Sequence, residues 1–199
     1  MPRIIYIHGF NSSPLSHKAQ LLTQRMTQLG IAGDLIVPQL SAYPEQAMGQ
    51  LQACVEGCDS NRPVLIGSSL GGYYAIWLAE RYGLKAILIN PAIYPYNLLR
   101  EYLGVNQNFY TDERYILEPR HVQLMKSYEV EKIRQPEDYW LLLETGDDTL
   151  DYHEAENKFP DSRMTIHQGG SHEFLHFDDM LDDILRYCGY DHLKLSAVD

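Results

Sequence analysis

Four short runs, IIYI at 4–7, VLIG at 64–67, AILI at 86–89 and WLLL at 140–143, are apolar at nearly every position. A strand with one face in water alternates apolar and polar residues, so a run without alternation needs cover on both faces. That requirement restricts the fold more than any other feature, because it demands a sheet layered between helices. Strands are expected at 3–7, 34–37, 63–66, 85–89, 139–144 and 163–167. Between them lie helical stripes. Leu15, Ala19, Leu22, Met26 and Leu29 recur three and four apart before Gly30, and Ala47, Leu51, Cys54, Val55 and Cys58 do the same after Pro44. Further on, Phe174, Phe177, Leu181, Ile184 and Leu185 form one stripe, with Asp179, Asp182 and Asp183 mainly on a solvated opposite side. Alternating strands and helices imply right-handed βαβ crossovers. The expected fold is α/β, with about six mostly parallel strands and helices on both faces.

The stretch 91–138 breaks this rhythm. It holds no convincing strand, carries Pro91, Pro95, Pro119 and Pro136, and is rich in tyrosine. A structureless loop of that length is uncommon in a compact domain. It reads as a small, partly helical cap inserted into a single domain spanning 1–199.

Composition excludes several classes. Sixteen basic against twenty-seven acidic residues give a net charge of −11. That average field repels a polyanion, and no dense basic run offsets it, so nucleic acid is not an expected partner. No apolar run approaches the roughly 18 residues of a membrane span. The start, MPRIIYIHGF, lacks the form of a signal peptide, and the expectation is a reduced, cytoplasmic setting. Cys54 and Cys58 stand four apart in a helical pattern and read as small buried side chains, since no nearby pair completes a four-ligand metal site. The expected partner is a small molecule, bound by a monomer or small homo-oligomer.

The chemistry concentrates after the second apolar run. Gly67-Ser68-Ser69-Leu70-Gly71 is a G-x-S-x-G between a strand and a helix carrying Ala75, Leu78, Ala79 and Tyr82. A nucleophile held on so sharp a turn leaves no room for Cβ atoms two residues away, hence the glycines. Ser69 is the candidate nucleophile, and off-centre Ser68 is read as structural. The Leu70 amide would help bind a developing oxyanion, with the Phe10 amide, after His8-Gly9, as the second donor. His8 lies upstream of the serine, so it is assigned to structure. The order Ser, Asp, His then requires an acid after 139–144 and a histidine after 163–167. Asp147 follows Gly146, with Asp148 and Asp151 as alternatives, and His172 follows Gly169-Gly170-Ser171. Such a set lets His172 take the serine proton during attack on a carbonyl carbon, while the aspartate fixes its tautomer.

With these pieces in place the chain resembles the small YqiA-type esterases of the α/β-hydrolase superfamily. The matching motifs are YIHGFNSSP near the start, IVPQL at 36–40, IGSSLGGYYAIWLA at 66–79 and INPA at 89–92. EYLG at 101–104, LEPRH at 117–121, TGDDTLDY at 145–152 and GGSHEF at 169–174 continue the series. The resemblance implies an α/β-hydrolase core beginning at the third of the usual eight strands. It implies Ser69 as nucleophile, His172 as base, Asp147 as acid, hydrolysis of carboxylic esters or acyl-thioesters, and no cofactor.

Other readings remain open. His172-Glu173-Phe174-Leu175-His176 matches H-E-x-x-H, the pattern of a zinc hydrolase. That pattern needs both histidines on one continuous helix, and a Gly-Gly-Ser precedes the first. The same three residues could serve C–C or peroxide chemistry, and a non-catalytic small-molecule- or protein-binding protein could keep the fold. For the substrate pocket the candidates are Asn11 and the tyrosines Tyr73 and Tyr94. Arg120 and His121 are expected as a cationic pair under the cap, facing an anionic group.

Overall fold

The structure, a computed structural model, describes residues 3–58, 62–193 and 195. In chain order its strands are β1 (Ile4–Ile7), β2 (Leu35–Ile36), β3 (Val64–Ser68), β4 (Ala86–Ile89), β5 (Gly104–Gln107), β6 (Arg114–Leu117), β7 (Tyr139–Glu144) and β8 (Arg163–His167). Six of them form one sheet in the order β2-β1-β3-β4-β7-β8, every pairing parallel. The helices are α1 (His17–Gln28), α2 (Pro44–Glu56), α3 (Leu70–Tyr82), α4 (Pro95–Leu98), α5 (Pro119–Lys126), α6 (Tyr152–Lys158) and α7 (Phe177–Tyr187). The α/β layering expected from the sequence is present.

The apolar runs are continuous because consecutive residues feed two different cores. Ile5, Ile7, Leu65, Leu88, Leu141 and Leu143 pack with α2 and α3. Their neighbours Ile4, Tyr6, Ile66, Ile87, Trp140 and Leu142 pack with α1 and α7. None of these twelve is more than 1% exposed. Burying each contributes roughly 1.5–3 kcal/mol, so neither face of the sheet tolerates a polar run. Helix α1 places Ala19, Leu22 and Met26 on the sheet and ends before Gly30 at φ +73. Leu15, expected on that stripe, precedes the helix and is 61% exposed. Asp182 departs from the solvated face expected of it: Arg25 grips both its oxygens at 2.8 and 2.9 Å and ties α1 to α7.

Residues 91–138 need a correction. Besides α4 and α5 they contain a hairpin, β5 paired antiparallel with β6, where no strand was expected. Tyr115 and Leu117 face inward while Val105 and Ile116 face solvent. Tyr96, Leu99, Tyr115, Leu117, Val122 and Met125 share one core with α2 and α3, so the segment is packed down rather than looped out. Its hairpin turn is stitched to the loop after β1. Asn108 donates to the Ser12 carbonyl at 2.9 Å, the Phe109 amide donates to Asn11 O at 3.1 Å, and the Tyr115 hydroxyl donates to Asn11 Oδ1 at 2.6 Å.

Strand β1 pairs with β2 on one side and β3 on the other, so successive strands leave it in opposite directions. Such a switch opens a crevice at the carboxyl ends of the two central strands, where α/β sheets bind ligands. Gly9 lies just past the end of β1 there and Ser69 just past the end of β3.

Candidate active site

Ser69 joins β3 to α3 with φ +55 and ψ −121, a conformation that costs a non-glycine residue about 1–3 kcal/mol. Its surroundings hold it there. The Ser69 amide donates to Ile89 O at 3.0 Å, and its carbonyl accepts from the amides of Gly72 and Ala92 at 2.9 and 3.0 Å. A Cβ on Gly71 would collide with the Ile7 carbonyl, so the elbow seats directly against β1. The turn after β1 is equally close: a Cβ on Gly9 would stand 3.2 Å from Ser69 Cβ.

Two loops complete the array. His172 Nε2 lies 3.0 Å from Ser69 Oγ. Its Nδ1 lies 2.9 and 3.1 Å from the two oxygens of Asp147, whose side chain is 2% exposed. Asp147 Oδ1 also accepts from the amides of Thr149 and Leu150, both at 2.9 Å, which fixes the carboxylate without a second side chain. The other aspartates stand elsewhere. Asp148 is exposed, and Asp151 caps α6, accepting from the His153 amide at 3.0 Å.

Sequence reasoning missed the groups that hold His172 in place. Glu144 ends β7 fully buried and accepts from the Ser171 amide at 2.5 Å, the His176 amide at 3.1 Å and His176 Nδ1 at 2.7 Å. Burial alone would raise its pKa; the His176 ring and the amides of Ser171, His176 and Leu175 together hold it below the usual glutamate value. Gly170 at φ +76 is needed because a Cβ would strike the Glu144 carboxylate. Asn90, at φ +38, accepts from the Glu144 amide and donates to the carbonyls of Ser171 and His172 at 3.0 and 3.3 Å. Lys18 on α1 donates to the Glu173 carbonyl at 2.7 Å. The loop 171–176 is thus fastened from β4, β7 and α1 at once.

This arrangement does not support a zinc site at 172–176. Helix α7 begins only at Phe177, so the two histidines share no helical face. His172 turns to Ser69, while His176 turns to Glu144 and stacks on His167 with ring centres 4.1 Å apart. Among the described residues no group of three or more His, Cys, Asp or Glu side chains is placed to hold a metal ion.

His8 is buried, with Nδ1 donating to Gly9 O at 3.0 Å and Nε2 accepting from the Leu40 amide at 3.2 Å. Those roles need the neutral ring, and burial lowers its pKa accordingly. Ser68 is buried at the end of β3. Ser69 and His172 open into a cavity of about 280 Å³ whose walls include Phe10, Leu70 and, from 91–138, Leu98, Leu99, Tyr102 and Phe109. Phe10 meets the Tyr102 ring edge-on at 5.3 Å.

Five residues expected at the pocket do not line this cavity. Asn11 is the strut under the hairpin described above. Tyr73 is 3% exposed, and its hydroxyl donates to Met125 O at 2.8 Å beneath α5. Tyr94 packs edge-on against Tyr96, ring centres 6.2 Å apart. Arg120 and His121 are no cationic pair under the cap. The Arg120 side chain is 77% exposed and binds Glu118 at 2.6 Å, while His121 Nδ1 accepts from the Glu118 amide at 3.0 Å and caps α5.

Comparisons with known proteins agree with this architecture. A family model described as "Uncharacterised protein family (UPF0227)" matches residues 3–189. A UPF0227 protein of Shewanella sp. (strain MR-4) is 33% identical over 99 residues, 46% of this chain and 52% of the relative. The chain thus spans about half the length of the curated relatives it matches. Among solved structures, mouse alpha/beta hydrolase domain-containing protein 10 superposes with a TM-score of 0.70 at 17% identity, covering 94% of this chain and 90% of that one. The monoacylglycerol lipase of Paleococcus ferrophilus gives 0.67 at 16% identity, covering 96% of each. At these identities the likeness establishes the α/β-hydrolase fold.

Proposed function

The chain belongs to the UPF0227 family, and from the contacts around Ser69 we propose that it is a serine hydrolase of carboxylic esters, acyl-thioesters included. One observation carries the reading. Ser69 Oγ, His172 and Asp147 form an unbroken run of hydrogen-bonding distances that ends in an open cavity. In this reading His172 takes the Ser69 proton as Oγ attacks the acyl carbon. The Phe10 and Leu70 amides receive the charge that develops on the carbonyl oxygen. Collapse of the adduct expels the alcohol or thiol with the proton from His172, leaving the acyl group on Ser69. A water, deprotonated by His172, then releases the acid and restores the serine. Asp147 holds the ring in the needed tautomer throughout. Residues 91–138 act as a cap that selects what reaches Ser69, and no cofactor takes part.

A fluorophosphonate probe should label Ser69 stoichiometrically. Ser69→Ala should abolish labelling and lower kcat/KM on p-nitrophenyl hexanoate by about 10,000-fold or more. Comparable turnover by the variant would overturn the proposal.

A further inference from the structure

Lys18 stands on the wall of the nucleophile's cavity and is 8% exposed, on a chain whose average field is strongly negative. An ammonium carries three N–H donors. Among the described residues only the Glu173 carbonyl accepts from it at hydrogen-bond distance, at 2.7 Å. The Glu173 carboxylate stands 3.8 Å away on a side chain 78% exposed. Taking an ammonium out of water costs several kcal/mol unless its donors are met, and that solvent-exposed carboxylate is the one ion-pair partner of Lys18 among the described residues. Burial lowers the Lys18 pKa, while Glu173, Glu144 and Asp147 act in the opposite sense.

The surroundings repeat the signal. Ser16, the N-cap of α1, makes no side-chain cap bond. Its Oγ is buried beside the Tyr6 hydroxyl without a hydrogen bond of ordinary geometry, on the same cavity wall. The first turn of α1 has no acidic residue, so the positive end of the helix is unopposed there. The lining also includes Leu98, Leu99, Tyr102, Phe109 and Leu150. The cavity therefore combines an apolar lining with one buried ammonium, whose counterion Glu173 lies on the same wall and is largely in solvent.

We propose that Lys18 reads a carboxylate on the substrate, so that the preferred esters pair an apolar chain with one anionic group. The inference rests on the serine-esterase reading. A single ammonium, with no arginine on the cavity wall among the described residues, matches a monoanion rather than a phosphate dianion. Because Lys18 also fastens the His172 loop, the test is a ratio.

Rates would be measured on two matched pairs: mono-p-nitrophenyl adipate against p-nitrophenyl hexanoate, and 4-carboxyphenyl hexanoate against phenyl hexanoate. Lys18→Met should lower the charged-to-neutral ratio of kcat/KM at least tenfold in one pair, and Lys18→Arg should restore most of it. Equal proportional losses on charged and neutral esters in both pairs would overturn the proposal and leave Lys18 a purely structural tie. Fluorophosphonate labelling separates the two failures. Labelled Ser69 with an unchanged ratio sinks only the Lys18 assignment, whereas no labelling and no ester turnover by the wild type sinks the esterase reading and this inference with it.

Discussion

Asp147 accepts two backbone amides besides the His172 ring, whereas Asp148, its immediate neighbour, faces solvent. Asp147→Asn should lower kcat on p-nitrophenyl hexanoate by about 10,000-fold, because an amide in that place favours the wrong histidine tautomer. Asp148→Asn should change it less than about twofold, as expected of an exposed side chain; similar losses from both would remove Asp147 from its role. Glu144 belongs to the same scale through pH. Its folded pKa lies below the ordinary 4.5, so in that window the unfolded chain binds the extra proton. Stability then rises with pH through the window and is lost as pH falls through the folded value. Glu144→Gln should cost about 1–3 kcal/mol near neutrality. It should also flatten the acid slope of urea midpoints measured on either side of pH 4.5, and an unchanged slope would contradict the assignment. The placing of Asp147 beside His172 was legible because chain order and a preceding glycine point to it. Glu144 and Lys18 were not, since their partners lie 27 to 155 positions away and a glutamate closing an apolar run looks like a strand end.

Among the elements, the hairpin β5–β6 was the one the sequence hid. Its strands are four residues each, and the inward-facing positions of GVNQ are unremarkable. A search for runs buried on both faces passes over a ribbon with one side in water. The strands of the main sheet were legible for the converse reason, although β2, at the sheet edge, is only two residues long. Asn108 makes the hairpin turn a rigid part of the cavity wall, bonding Ser12 O and the amides of Tyr110 and Thr111. Asn108→Ala should raise KM several-fold with a smaller change in kcat, and should speed proteolytic cutting near the turn; unaltered KM and cleavage would show that the turn does not shape the cavity. The contact of α3 with β1 is less forgiving. Gly71→Ala drives a methyl into the Ile7 carbonyl and should destabilise the protein by about 3 kcal/mol or more, read from urea unfolding.

Across the whole molecule, the alternation of apolar strands and amphipathic helices was enough to anticipate parallel layers, and the G-x-S-x-G placed the elbow among them. It could not reveal which strands would be neighbours, because both faces of every central strand are equally apolar. The order β2-β1-β3-β4-β7-β8 has a consequence in time rather than in space. Ser69 leaves a central strand, while His172 follows the edge strand β8, 103 positions later. Long-range parallel pairings form slowly because the intervening chain must be closed first. During refolding, backbone circular dichroism should therefore recover ahead of probe labelling at Ser69, and simultaneous recovery would contradict this order. Until β7 has docked on β4 and brought β8 with it, Ser69 stands without His172 beside it.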